Sequence, residues 1–226
     1  IHACYSSGIK KILFLGSSCI YPKKSKQPIT ENELFKGYLE KTNEPYAVAK
    51  IAGIKLCESY NRQFGMDYRS CMPTNLYGSN VNFDIQNSHV IPALIKKIHM
   101  AKMMKKKSIK IWGSGKAKRD FLHVDDMAEA CLYIMKISKK NFNFNIDPMN
   151  SHINIGSGKE ITIKNLVKKI QKIIGYHGYI DFDLKMPDGT LKKLLDSNKI
   201  LNLGWSKKID LDSGLKNTYK WFLENI

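Results

Sequence analysis

The chain has 226 residues, of which 43% are hydrophobic, 25% charged and 10% aromatic. This is globular composition, long enough to bury a core without disulfides; it excludes a disordered, collagenous or fibrous chain, and no apolar run approaches the roughly 20 residues of a membrane span. The net charge of +17, from 37 basic and 20 acidic side chains, admits an anionic partner: nucleic acid, an anionic membrane or a phosphorylated substrate.

The first residues, Ile1-His2-Ala3-Cys4, carry neither a basic region nor an apolar stretch, so no secretory leader is expected, and the missing Met points to processing or truncation. Residues 2–8 suit the end of a helix closed by Gly8. Residues 11–17, KILFLGS, form a short apolar run ending in small residues, as a buried parallel strand does before a loop. Residues 18–45, punctuated by Pro22, Pro28, Gly37 and Pro45, read mostly as loop. Residues 46–64 carry apolar side chains at spacings of three and four and stop at Gly65, which predicts a long helix. A strand over 67–72 and a turn over 73–78 follow. Residues 88–104 read as a second amphipathic helix with Pro92 in its first turn. A short strand over 109–112, a turn at 113–115 and an extended stretch over 120–123 lead to a helix at 125–137. Its leading acids, Asp125 and Asp126, suit the positive end of the helix dipole. Residues 154–156 read as a strand end, and 162–174 and 213–224 as helices. Strands alternating with helices predict a mostly parallel, doubly wound α/β sheet.

Only three of the basic residues are arginines: Arg62, Arg69 and Arg119. Anion-reading surfaces favour the planar guanidinium fork. Abundant Lys, Asn and Ile also read as the translation of an AT-rich genome. The stretch 102–119 has eight basic residues and no acid, but a single aromatic, Trp112, and no stacking series for single strands. The five cysteines (Cys4, Cys19, Cys57, Cys71, Cys131) are scattered without a C-x-x-C pair, which suggests a reducing cytoplasm and gives no metal signature.

Two features carry chemistry. Tyr46 and Lys50 stand four apart on the predicted helix, hence on one face. An ammonium beside a phenol favours the phenolate, and such a tyrosine can exchange a proton with an alcohol or ketone. Alone, this pair is as well read as a surface Tyr beside a solvated Lys. Upstream, the first strand ends at Gly16-Ser17-Ser18-Cys19, and doubly wound folds bind ligands at the carboxyl ends of their strands. A serine there can donate to a carbonyl oxygen, although Ser17 and Ser18 also suit loop capping.

Ser, Tyr and Lys in this order resemble the extended short-chain dehydrogenase/reductase family. The segments FLGSSCIYPK (14–23), TNEPYAVAKIAGIKLCESYNRQFG (42–65), DYRSCMPTNLYG (67–78), NSHVIPALI (87–95), IWGSGKAKRDFLHVDDMAEA (111–130) and PDGTLKKLLD (187–196) extend the resemblance along nearly the whole chain. They point to its branch of 3,5-epimerase/4-reductases acting on GDP-4-keto-6-deoxy-D-mannose. The resemblance implies a Rossmann-type sheet plus a smaller α/β substrate-binding lobe. It implies NADPH as cofactor, a homodimer built on the helices at 46–64 and 88–104, a cytoplasmic enzyme, no metal, and neither nucleic acid nor membrane as partner. Ser17, Tyr46 and Lys50 would form the reductase triad, with Tyr46 protonating the C4 oxygen and Lys50 holding the nicotinamide ribose. Cys19 and His89 would be base and acid of the epimerisations at C3 and C5. Leu15, Gly16, Ser17, Ser18, Lys50, Pro73, Thr74, Asn75, Leu76 and His89 would contact NADP. Lys97, Trp112, Arg119, Asp188 and Lys193 would contact the sugar nucleotide, with Lys97 standing where many relatives carry Arg.

The expected domains are 1–85 with 121–158, a partial Rossmann domain, and 86–120 with 159–226, the substrate lobe. No G-x-x-G-x-x-G fingerprint follows a first strand. The resemblance therefore places about 90 residues, some three βα units, before Ile1. A fragment of that kind would expose a sheet edge. The competing readings are another sugar-nucleotide epimerase or dehydratase of the same family, and a basic nucleic-acid-binding domain. Dehydratases of the group place acidic residues near the position of Ser17, where this chain has Ser18 and Cys19.

Overall fold

The computed structural model describes residues 1–84 and 88–226, so the expected boundary between 85 and 86 lies outside the described residues. The chain forms two compact units. One comprises Ile1–Thr74, Asp126–Gly158 and Leu194–Lys207; the other comprises Asn75–Asp125, Lys159–Lys193 and Lys208–Ile226. In chain order the elements are α1 (His2–Ser6), β1 (Lys11–Leu15), α2 (Glu44–Phe64), β2 (Asp67–Pro73), β3 (Asn75–Tyr77), α3 (Val90–Met103), β4 (Ser108–Trp112), β5 (Lys118–His123) and α4 (Val124–Lys136). They continue with α5 (Lys139–Asn145), β6 (Ile153–Ile155), β7 (Glu160–Thr162), α6 (Ile163–Ile174), β8 (Tyr179–Asp183), β9 (Lys192–Lys193), α7 (Asn198–Asn202) and α8 (Leu211–Asn225).

In the first unit β1, β2 and β6 make a parallel sheet in the order β1-β2-β6. Parallel neighbours require a crossover, and α2 supplies it between β1 and β2. Pro45 sits in the first turn of α2, and Gly65 ends the helix in the left-handed region, where a Cβ is costly. The helix lies close on β1 because residue 53 is glycine: a Cβ there would stand 2.2 Å from the Phe14 ring. Ile20, Tyr21, Ile29, Leu34, Ile54, Met72 and Leu195 form one buried cluster; Cys57, Met66 and Tyr68 form a second. The stretch between β1 and α2 has only short 3-10 turns, as its prolines predict, and is anchored at Ile29. The Ile29 N–H donates to Leu194 O at 2.8 Å, and its carbonyl accepts from Asp196 N at 2.8 Å.

In the second unit β5 is the hub: it pairs in parallel with β3 and β9 and antiparallel with β7. β4 pairs in parallel with β8. The core is helical stripes at three and four: Ile91, Leu94, Ile95 and Ile98 of α3, Leu166, Val167, Ile170 and Ile174 of α6, and Leu215 and Phe222 of α8.

The mostly parallel α/β architecture is as the alternation of elements predicts. The turn expected over 73–78 is instead the end of β2 and the strand β3, whose short ladder to β5 runs from Asn75↔Phe121 to Tyr77↔His123. Among the described residues no helix is long and apolar enough to cross a membrane.

Candidate functional site

β1 ends at Leu15, which is half-exposed, and the chain turns at once. Gly16 is buried, and a Cβ there would meet the Met72 side chain at 2.3 Å. Ser17 caps the 3-10 turn Ser18–Ile20: its Oγ accepts from Cys19 N at 3.2 Å. Ser18 is buried and Cys19 partly exposed, with Asn43 Nδ2 lying 4.0 Å from Cys19 Sγ.

Tyr46 and Lys50 project from the first turns of α2, as their spacing predicts. Tyr46 is 49% exposed. The Lys50 ammonium donates to Leu15 O at 2.8 Å and sits 5.6 Å from the centre of the Tyr46 ring and 5.3 Å from that of Phe14. One contact thus ties α2 to the open end of β1 and fixes a cation beside a solvent-facing phenol. That set can hold a polyol and pass a proton to an oxygen. Pro73 closes β2, and Thr74 N donates to Ile155 O at 2.9 Å.

The second unit holds the other expected residues. Asn75 and Leu76 lie in β3, and Asn75 Nδ2 donates to Asp120 O at 2.8 Å. His89 is exposed at the N-cap position of α3 and makes no side-chain capping bond there. A cavity of about 270 Å³ opens among α3, β4, β5 and the 187–188 segment, and Lys97, Trp112, Arg119 and Asp188 all line it. Its apolar wall includes Val90, Leu94, Ile111 and Ile163. Lys193 lies in β9 opposite Arg119 and is not among the lining residues.

Burial lowers the pKa of both cations in this cavity: Lys97, with further repulsion from Lys106, and Arg119, where Asp188 acts in the opposite sense. Cations short of water are ready to take an anion. Both oxygens of Asp188 are already engaged by Ser114, from its N–H at 2.7 Å and its hydroxyl at 2.7 Å, and these bonds hold the carboxyl below its usual range. The approach depends on Gly113, where a Cβ would stand 2.4 Å from Asp188 Oδ1. Sequence reasoning passed over Ser114, Asn43 and Phe14. The left-handed glycine of the G-S-G turn was the one local signal for Ser114; the other two act through contacts distant in sequence.

Residues 1–156 match the model of the NAD dependent epimerase/dehydratase family. The chain is 56% identical to the GDP-L-fucose synthase of Escherichia coli (strain K12) over 225 residues, covering 100% of this chain and 70% of that protein. It spans 64% to 70% of the length of the curated relatives that match it at 50% identity or more. Among solved structures, a GDP-6-OMe-4-keto-L-xylo-heptose reductase from C. jejuni superposes with a TM-score of 0.93 at 36% identity, over 100% of this chain and 73% of that one. A GDP-L-fucose synthetase from Naegleria fowleri bound to NADP superposes with a TM-score of 0.88 at 30% identity, over 99% of this chain and 69% of that one. With the sheet, the Ser17–Tyr46–Lys50 pattern and these matches in agreement, the chain belongs to the NAD dependent epimerase/dehydratase family.

Proposed function

We propose that this protein converts GDP-4-keto-6-deoxy-D-mannose to GDP-L-fucose by epimerisation at C3 and C5 and NADPH-dependent reduction at C4. The observation that carries this reading is identity of 56% to a GDP-L-fucose synthase across the whole chain. The residues at the end of β1 fit a nicotinamide nucleotide. An ammonium already bonded to a strand-end carbonyl has two N–H groups left for a ribose, and Leu15 is half-exposed beside it. Lys50, Leu15, Gly16, Ser17 and Ser18 would hold it, with Pro73, Thr74, Asn75, Leu76 and His89 as the further contacts the family resemblance implies. When bound, NADPH supplies the hydride for C4.

The chain's own groups do the rest. Ser17 orients the C4 carbonyl by donating to its oxygen, and Tyr46 gives that oxygen its proton. A 4-keto group acidifies the C–H bonds at C3 and C5. Cys19, as thiolate, takes each proton, the charge passes to the C4 oxygen as an enolate, and His89 returns a proton to the opposite face. In the second unit Lys97 and Arg119 meet the diphosphate, and Trp112 with its apolar neighbours covers the nucleoside. Asp188 and Lys193 complete the proposed sugar-nucleotide contacts.

The protein is further proposed to be a homodimer. α2 carries the exposed apolar residues Val48 and Leu56, and α3 carries Val90, Met100 and Met103. Sedimentation at micromolar concentration checks this: a monomer would overturn it. The scattered cysteines support a cytoplasmic location.

The division of roles is tested by Tyr46→Phe. Reduction is expected to fall by about 10²–10⁴-fold, while exchange of solvent hydrogen into C3 and C5, read by mass spectrometry, persists. Loss of both activities together would overturn the assignment.

A further inference from the structure

Tyr21 is 4% exposed and follows the Ser18–Ile20 turn directly. Its hydroxyl donates to Asn154 Oδ1 in β6 and lies 3.0 Å from His152 Nε2. Asn154 and His152 are both fully buried. Asn154 is engaged on every side: its Nδ2 donates to Ile29 O at 2.9 Å, and its backbone N–H donates to Glu31 Oε1 at 2.9 Å. Only one proton arrangement lets the Tyr21 hydroxyl bond both neighbours. Tyr21 gives its proton to Asn154, so its oxygen must accept from an Nε2–H of His152. The imidazole is then the neutral Nε2 tautomer, with Nδ1 buried and without a hydrogen-bond partner among the described residues.

None of these groups has a part in the proposed chemistry, yet Tyr21 follows directly on the segment that does. The chain leaves β1 at Leu15, passes through Ser17 and Cys19, and is pinned again at Tyr21. We infer that Asn154, through Tyr21, is a positioning residue for the Ser17–Cys19 turn. Buried hydrogen bonds in a place of low dielectric hold their partners in one geometry, and a displaced base or donor loses rate steeply with distance. The inference rests on the functional reading above for its catalytic consequence; the tether itself can be read without turnover.

The experiment is peptide-resolved alkylation of the full chain by iodoacetamide, with partly exposed Cys4 as internal reference for Cys19. Tyr21→Phe keeps the ring and removes the hydroxyl. Expected is a change of about fivefold or more in the Cys19:Cys4 rate ratio. With NADPH and GDP-4-keto-6-deoxy-D-mannose, expected is about a tenfold fall in kcat for C3/C5 exchange with KM unchanged, as misplacement of a reacting group gives. An unaltered Cys19:Cys4 ratio overturns the tether. Should Tyr21→Phe fail to fold, Asn154→Leu removes the acceptor of the same hydroxyl and is judged by the same ratio. If the unsubstituted protein shows no exchange with its sugar nucleotide, the functional reading fails, while the alkylation ratio still decides the tether.

Discussion

His152 shows how one residue's surroundings set its chemistry. Burial pushes its imidazole down to about 3, and the charges of Lys199 and Lys55 add to the effect. Unfolded, the same ring binds a proton near 6.5. Between these values the unfolded state holds a proton that the folded state refuses, so stability falls as pH falls, by up to about 1.4 kcal/mol per unit. Glu31 works against this at lower pH. Its carboxyl is raised by burial, with Lys199 and the Asn154 N–H opposing, so the folded state takes that proton first and gains stability as the pH falls through its raised pKa. The useful window therefore runs down from pH 6.5 to where Glu31 begins to take its proton, and within it His99, lowered by burial and by Lys102, adds a slope of the same sign. Urea midpoints across it are expected to fall in the wild type and to fall less in His152→Gln, whose amide never titrates. Parallel profiles would show that His152 is not the group responsible.

At the scale of elements, the seat of α2 on β1 decides where Tyr46 and Lys50 stand. The Gly53 contact with Phe14 leaves no room for a side chain. Gly53→Val should cost about 1–3 kcal/mol by overpacking, read as a lower melting temperature, and Phe14→Leu in the same chain should recover part of it. Independent, additive effects would mean the two do not meet. The same contact marks the limit of what the sequence discloses. The faces of α2, α3, α6 and α8 are legible because each repeats apolar residues over three or more turns. The Tyr46–Lys50 pair is legible because a helix fixes neighbours four apart. The bond from Lys50 to Leu15 is not, since it joins residues 35 apart through the packing of α2 on β1. α5, KKNFNFN, has poor helix formers and one buried side chain, Phe142, whose ring covers the Arg69 guanidinium at 4.3 Å. Ser138 caps this helix, accepting from Asn141 N at 3.2 Å, and the tertiary contact adds to that short local signal. β7 and β9, of three and two residues, are too short to show a period and exist through their pairing with β5.

For the whole molecule the question is what a charge of +17 is for. Two of the three arginines have other employment. Arg69 is fully buried, its Nε and Nη2 donating to Asp67 at 2.7 and 2.9 Å, and Arg119 lines the cavity of the second unit. Within the basic stretch 102–119, Lys102 donates to Ile174 O at 2.7 Å, and Lys118 pairs with Glu160 at 2.6 Å. Trp112 faces the cavity rather than standing in a row of stacking rings. What is left is a lysine-rich surface that attracts any polyanion without reading it. Filter binding to duplex and single-stranded DNA is expected to give a Kd no tighter than about 10⁻⁶ M at physiological salt, weakening steeply as salt rises. Tighter binding that survives added salt would require contacts other than charge, and the basic surface would then have a partner of its own. The expected result leaves the cavity as the proposed place of specific anion recognition, where Lys97 and Arg119 are partly stripped of water and an apolar wall stands beside them. A phosphate held there gains from low local dielectric, as one on the open lysine surface does not.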